Sequence, residues 1–288
     1  MSDIQRVGVV GCGLMGSGIA EVCARAGLDV VVVELDASAL AAGRERIARS
    51  LAQAVRRGKL AAKDAEAAQE RIRFTDDVTR LADRDMVIEA VVEDEAVKTE
   101  VFRTLDKVVE REDAILASNT SSIPIMKLGA VTGRPEQVLG LHFFNPVPVL
   151  GLVELVPSLL TGAAAVERAE SFVREVLGKH VIRSKDRAGF VVNALLVPYL
   201  LSAVRMLESG FASLRDIDEG MVRGCAHPMG PLQLADLIGL DTLKAIAESL
   251  YEEFKEPLYS PPPLLLRMVD AGLLGRKNGR GFYTYATS

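Results

Sequence analysis

The chain has 288 residues, 34 of them basic and 39 acidic, and its formal net charge of −5 at pH 7 carries no cationic footprint for nucleic acid or an anionic membrane. A chain of this length has room for two domains and can bury roughly 75% of its unfolded surface. Its three cysteines, Cys12, Cys23 and Cys225, show neither metal-ligand nor redox spacing, which suits a reducing compartment with thiols as small apolar fillers, and no metal site is expected.

The first apolar run, Val7 to Val10, ends in Gly11-Cys-Gly-Leu-Met-Gly16 and passes into Ile19-Ala-Glu-Val-Cys-Ala24. That order predicts strand, tight turn and helix. Gly11 makes the turn, Gly13 lets the backbone approach a pyrophosphate, and Gly16 lets helix and strand pack closely, with Leu14 and Met15 completing the loop. The helix N-terminus then offers unpaired N–H groups and the positive end of its dipole to phosphate. Leu28 to Glu34 reads as a second, β-branched strand that ends in a carboxylate about 20 residues beyond the loop, where a ribose hydroxyl is expected. A carboxylate that accepts from a 2′-OH repels a 2′-phosphate, and no Arg or Lys follows until Arg44, so NAD is favoured over NADP. The first strand begins by Arg6 or Val7, which leaves no room for a leader peptide, and no apolar run reaches membrane-spanning length. The expectation is a cytoplasmic protein.

Ala37 to Arg57 has helical spacing, Gly58 stops it, and Ala61 to Arg71 is helical again, so a helical hairpin replaces a simple crossover. Strands are predicted at Arg71 to Thr75, Met86 to Val92 and Ala114 to Ser118, with a helix over Glu95 to Glu110. Alternating β and α implies a parallel sheet with right-handed crossovers. Further strands follow at Val138 to Phe143, Leu152 to Val156 and Val181 to Ser184, with a helix over Ala163 to Leu177. Beyond the polar Lys185-Asp186-Arg187 junction the pattern turns helical: Phe190 to Ser209, Ser213 to Gly224, Leu232 to Leu237, Asp241 to Phe254 and Pro263 to Ala271. The fold class is therefore α/β, a Rossmann-like mostly parallel sheet with an inserted helical hairpin over residues 1–185, followed by an all-helical domain over 186–288.

His142 stands at the carboxyl end of a predicted strand, the end at which ligands sit in open α/β sheets. A histidine there serves either as a structural hydrogen-bonding residue or as a proton carrier. Glu154, alone among the apolar residues of the next strand, bears on the choice, because a carboxylate in such a place is costly unless paired. A His-Glu pair would fix the imidazole tautomer and favour the imidazolium, although structural ion pairs look the same in sequence.

The motifs Gly11-Cys-Gly-Leu-Met-Gly16, Glu89-Ala-Val-Val-Glu93, Ser118-Asn-Thr-Ser-Ser122, His142-Phe-Phe-Asn-Pro146, Asp186-Arg-Ala-Gly-Phe190 with Asn193, His227-Pro-Met-Gly-Pro231 and Gly279-Arg-Gly-Phe-Tyr283 span almost the whole chain. In them the chain resembles the 3-hydroxyacyl-CoA dehydrogenases, and most closely the short single-function 3-hydroxybutyryl-CoA dehydrogenase branch. The resemblance implies that His142 is the general base with Glu154 as partner, and that Ser121 and Asn193 hydrogen-bond the reacting oxygen. It implies further that Glu93, Lys98, Asn119 and Asn145 lie near the cofactor, and that Ser50 and Arg57, seven apart on the hairpin, contact coenzyme A. Without the resemblance, Ser121 and Ser122 read as a cap for a short helix before Pro124, and Arg57 as part of a solvated basic face with Arg49, Arg56 and Lys59. His227 looks structural and His180 receives no role.

Three positions depart from the family pattern: Glu34 replaces the usual Asp, Arg57 replaces a usual Lys, and Ala194 stands where an Arg is common. The implied activity is NAD-dependent interconversion of short (3S)-3-hydroxyacyl-CoA and 3-oxoacyl-CoA, chemistry of the kind used in fatty acid β-oxidation, by a homodimer formed through the apolar helical domain. One rival is another two-domain dehydrogenase of 3-hydroxy acids with a similar glycine loop and a catalytic Lys, for which no matching motif stands out. The other is a fold-retaining protein without turnover, as relatives in eye lens suggest, against which the joint presence of His142, Glu154, Ser121 and Asn193 argues.

Overall fold

The structure is a computed structural model that describes residues 3–285. The chain divides into two compact units, the first ending at Arg187 and the second beginning at Ala188. Asp186, at the expected boundary, belongs with the first unit, because its carboxylate accepts the N–H groups of Ile125 and Met126 at 2.8 Å each.

The first unit is built on one eight-stranded sheet in the order β3-β2-β1-β4-β5-β6-β7-β8. Its strands are β1 (Arg6–Val10), β2 (Asp29–Val33), β3 (Ile72–Thr75), β4 (Met86–Glu89), β5 (Ile115–Ser118), β6 (Val138–Phe143), β7 (Leu152–Pro157) and β8 (His180–Arg183). All neighbours are parallel except β6 and β7. The expected mostly parallel sheet is thus borne out. The central strands are apolar at nearly every position because both faces are covered, as a parallel sheet requires. Val7, Val9, Val30 and Val32 share one core with α1 (Leu14–Arg25), α2 (Ala37–Arg56), α3 (Ala62–Glu70) and α6 (Ala163–Ser171). Gly8 points the other way, so close to Leu81 that a Cβ there would come within 2.7 Å of it.

Local chemistry sets the helix ends. The Asp36 carboxylate caps α2 through the Ala39 N–H at 2.7 Å, and Asp94 caps α4 (Glu95–Val108) through the Val97 N–H at 2.9 Å. Gly58, at φ +65°, ends the α2 arm in the left-handed region that glycine tolerates. The Ala163 to Leu177 run is one segment in two forms. It is α-helical to Ser171 and then a π turn, Phe172–Val176, closed by the Leu177 N–H on the Phe172 carbonyl at 3.1 Å. Phe172 and Val173 are both buried there, which the wider turn allows.

The second unit contains α7 (Val192–Glu208), α8 (Leu214–Gly224), α9 (Pro231–Ile238), α10 (Leu240–Phe254) and α11 (Pro263–Asp270) around a core of Val197, Leu200, Leu201, Leu232, Leu243 and Leu250. Two buried carboxylates hold its loops. Asp218 accepts the Leu232 and Gln233 N–H groups and the Tyr283 hydroxyl, and Asp236 accepts the Phe282 and Tyr283 N–H groups and the Tyr285 hydroxyl. A Cβ at Gly230 would lie 2.3 Å from Asp218, and one at Gly281 2.0 Å from Asp236, which accounts for these two glycines of the last two motifs. His227 fits its expected structural place, with Nδ1 3.2 Å from the Tyr199 hydroxyl.

Candidate active site

Because β1, β2, β4, β5 and β6 are parallel, the residues that follow their last positions gather along one rim of the sheet. Gly11 follows β1, Glu34 follows β2, Glu89 ends β4, Ser118 ends β5, and His142 is next to last in β6. The order reverses between β1 and β4, the switch point at which open sheets of this kind bind ligands.

The glycine loop meets the expected requirements one by one. Gly11 has φ +94° and a Cβ there would lie 2.6 Å from the Ala90 carbonyl oxygen; at Gly16 a Cβ would lie 1.9 Å from the Gly11 oxygen. Beyond Gly13 the space is open to 4 Å, and no side chain caps α1. These features fit a dinucleotide pyrophosphate. At the neighbouring strand end the Glu34 carboxylate accepts the Cys12 N–H at 3.0 Å and the Asp36 N–H at 3.4 Å. A carboxylate has about four lone-pair sites, so capacity remains for a ribose hydroxyl.

Between these and the histidine lies a network of three ionisable groups. Lys98, fully buried, donates to Glu89 Oε1 at 2.6 Å and lies 3.3 Å from Glu93 Oε2. Glu89, also fully buried, accepts the Ser118 hydroxyl at 2.6 Å and the Val91 N–H at 2.7 Å. Glu93 Oε1 gathers the next turn: the Thr120 hydroxyl at 2.6 Å, the Ser121 N–H at 2.9 Å, and the Ser121 hydroxyl, Ser122 N–H and Ser122 hydroxyl at 3.2 Å. Burial works to raise the Glu93 carboxyl, but the Lys98 ammonium, the Thr120 hydroxyl and the Ser121 N–H outweigh it and hold it below the usual value. The Ser121 hydroxyl therefore rests on an acid, at a length that rotation can break.

His142 and Glu154 face each other directly across the antiparallel β6–β7 pair. Glu154 is 0% exposed and His142 7%, and Nδ1 lies 2.6 Å from Oε2. The Phe144 ring covers the imidazole at 4.5 Å between centroids. Asn119 steadies the same strand end, its side-chain oxygen accepting the Phe143 N–H at 2.9 Å. Asn145 is exposed in the loop that follows, and Lys179 holds that loop through the Val147 and Leu150 carbonyls at 2.8 and 2.6 Å. Burial, with the Arg25 charge, pushes the Lys179 ammonium below its usual value.

The hairpin residues fare differently from one another. Ser50 and Arg57 do share a helical face, but the Ser50 hydroxyl is bonded to the buried Glu21 of α1, whose carboxyl burial pushes up. Arg57 closes the end of α2 and is exposed. Asn193 is buried in the first turn of α7, in the second unit, where the Ala194 N–H on the Gly189 carbonyl at 3.1 Å fixes the local backbone without a side chain at 194. Gly189 needs φ +75° at this bend.

Residues 6–187 match the family model described as "3-hydroxyacyl-CoA dehydrogenase, NAD binding domain", and residues 189–285 the one described as "3-hydroxyacyl-CoA dehydrogenase, C-terminal domain". The chain belongs to the 3-hydroxyacyl-CoA dehydrogenase family. Among curated relatives, the 3-hydroxybutyryl-CoA dehydrogenase of Mycobacterium tuberculosis is 64% identical over 99% of this chain and 100% of its own length. The hydroxyacyl-coenzyme A dehydrogenase of Sus scrofa mitochondria is 42% identical over 98% of this chain and 91% of its own. Among solved structures, the (S)-3-hydroxybutyryl-CoA dehydrogenase of Ralstonia eutropha superposes with a TM-score of 0.92 at 46% identity, covering 99% of this chain and 100% of that one. As in the family, the first unit is an NAD-binding domain.

Two members of the site escape a first reading of the sequence. Glu89 carries the same signal as Glu154, a lone acid in an apolar strand, and could have been found by the same argument. Arg46, whose NH1 donates to the Cys12 carbonyl at 2.9 Å, carries none; its place depends on how α2 packs on the loop.

Proposed function

We propose that this family member is an NAD-dependent (3S)-3-hydroxyacyl-CoA dehydrogenase of short chains, interconverting 3-hydroxybutyryl-CoA and acetoacetyl-CoA, with His142 as the proton carrier. The observation that carries the reading is the 2.6 Å contact between His142 Nδ1 and a fully buried Glu154. A carboxylate that has lost its water is stabilised by the Nδ1 proton, which leaves the lone pair on Nε2 as the base. In oxidation His142 Nε2 takes the proton of the 3-hydroxyl, and Glu154 offsets the charge that appears on the ring. Bound NAD, held by the glycine loop and Glu34, supplies the hydride acceptor. The Ser121 hydroxyl turns from Glu93 to donate to the substrate oxygen as charge develops there, and the donor role that the family resemblance gives Asn193 is kept as part of this proposal. In reduction His142 begins protonated and gives the proton back.

Glu93 and Lys98 set the walls of the nicotinamide end, Asn119 and Asn145 complete them, and Arg57 meets coenzyme A on the hairpin, with Ser50 beside it on the same helical face. A cytoplasmic location is part of this proposal; separately, no helix of the described residues is long and apolar enough to cross a membrane. A homodimer through the second unit is supported by the stripe Val191, Leu195 and Met206 along α7 and by Phe211 beyond it, with Leu195 73% and Phe211 80% exposed. Light scattering at micromolar concentration should give twice the mass of 31.0 kDa; the monomer mass refutes the dimer. The activity itself is tested by NADH consumption with acetoacetyl-CoA. Equal rates with free acetoacetate, or none with either, refute the reading.

A further inference from the structure

Residue 12 is held from both sides. Its N–H donates to Glu34 at 3.0 Å, and its carbonyl accepts Arg46 NH1 at 2.9 Å, while the same NH1 donates to the Ser17 hydroxyl oxygen at 3.0 Å. Ser17 in turn donates to the Cys12 and Gly13 carbonyls at 3.0 and 2.7 Å. Arg46 therefore grips both the glycine loop and the first turn of α1. It reaches them because α2 approaches unusually closely: a Cβ on Gly43 would fall 2.0 Å from Cys12 Sγ.

The partners of this guanidinium are neutral. Among the described residues Arg46 forms no ion pair, although it is partly buried; Glu45, the one acid within its helix, lies 3.9 Å from Arg49 instead. A partly desolvated cation spent on a carbonyl and a hydroxyl leaves its charge uncompensated, and a charge in such a place is costly unless an anion comes to it. The nearest place built for one is the loop itself, with its open Gly13 and the uncapped helix behind it.

We propose that Arg46 is a cofactor-positioning residue: it holds the 12–17 turn in shape and places one positive charge behind the pyrophosphate-binding loop, from a helix that lies outside the usual strand-loop-helix unit. The helix that carries it also carries Ser50 and ends at Arg57, so the segment assigned to coenzyme A and the loop assigned to NAD are joined through one side chain. Naming the dinucleotide rests on the dehydrogenase reading above.

The test separates charge from scaffolding. Arg46→Gln keeps an N–H donor for the Cys12 carbonyl and removes the charge; Arg46→Lys keeps the charge and loses the fork. NADH binding is followed by NADH fluorescence without acyl-CoA, with ADP-ribose and adenosine as competitors and the thermal midpoint as a control of folding. The Gln variant is expected to weaken NADH and ADP-ribose by about tenfold and to leave adenosine unchanged, with the Lys variant within about threefold of wild type. Equal NADH affinity in the Gln variant overturns the proposal, as does parallel weakening of ADP-ribose and adenosine. Wild type that binds no NADH overturns the dinucleotide reading itself.

Discussion

Replacing Glu154 with Gln keeps the shape of the side chain and removes its charge, and the pair geometry sets the size of the effect. With Nδ1 2.6 Å from Oε2, the two charge centres lie about 4 Å apart and interact by about 4 kcal/mol at an effective dielectric of about 20. Delocalisation over the ring, and the hydrogen bond that the Gln oxygen still accepts, reduce the loss to about 1.5–3 kcal/mol of transition-state stabilisation, or about 10- to 10²-fold in rate. The sign follows from the form that is favoured. The carboxylate favours the imidazolium that forms as the hydroxyl proton is taken, so without it oxidation slows. The assay is kcat/KM on (3S)-3-hydroxybutyryl-CoA and on acetoacetyl-CoA between pH 5.5 and 9.5, and a loss of about 10²-fold is expected at the plateau. His142→Gln should cost about 10² to 10⁴ in rate while NADH binding survives. If Glu154→Gln and His142→Gln both turn over near normally, the proton-carrier role is wrong.

Glu34→Arg should shift the preference from NADH toward NADPH by about tenfold or more, because it replaces repulsion of the 2′-phosphate with attraction; a wild type that already prefers NADPH refutes the role of this acid. Arg57→Ala should raise KM for acetoacetyl-CoA roughly fivefold with NADH affinity unchanged, and an unaltered KM leaves Arg57 as surface charge. Glu93→Gln bears on acid stability. Its carboxyl lies below the ordinary 4.5 in the folded protein, so its stabilisation is present above that pH and lost as the pH falls through the lower folded value. The variant should show a flatter acid limb of Tm against pH; an identical limb shows that Glu93 does not couple to folding.

The features that were legible in the sequence are those whose physics is local. The glycine loop is written in successive residues, and each strand of the sheet core is a short apolar run bounded by polar turns. The His142–Glu154 pairing was legible for a related reason: two adjacent strands, each carrying one polar residue among apolar neighbours, pair those residues with little choice of register. Ser50 and Arg57 show where such reasoning stops. A spacing of seven places both on one helical face, but says nothing of what that face meets, and here it meets Glu21 at Ser50. The π turn after Ser171 was hidden because an extra residue in a turn leaves the composition helical.

Carboxylates that accept backbone N–H groups account for several of the motif positions. Glu34 binds the Cys12 N–H, Glu89 the Val91 N–H, Glu93 the Ser121 and Ser122 N–H groups, and Asp186 those of Ile125 and Met126. In the second unit Asp218 binds the Leu232 and Gln233 N–H groups, and Asp236 those of Phe282 and Tyr283. Most of these donors lie in turns or at the starts of short helices, where no strand or helix partner exists to satisfy them. An acid from elsewhere in the sequence supplies that partner, and the N–H donors together with hydroxyls or Lys98 offset the cost of burying its charge. A motif residue can thus be fixed by a distant acid while touching no ligand, as Tyr283 is by Asp218 and Asp236. In Glu93 the two uses coincide. The same oxygen that satisfies the 120–122 turn also holds the Ser121 hydroxyl, so the acid that builds the turn sets how readily that hydroxyl swings away from it.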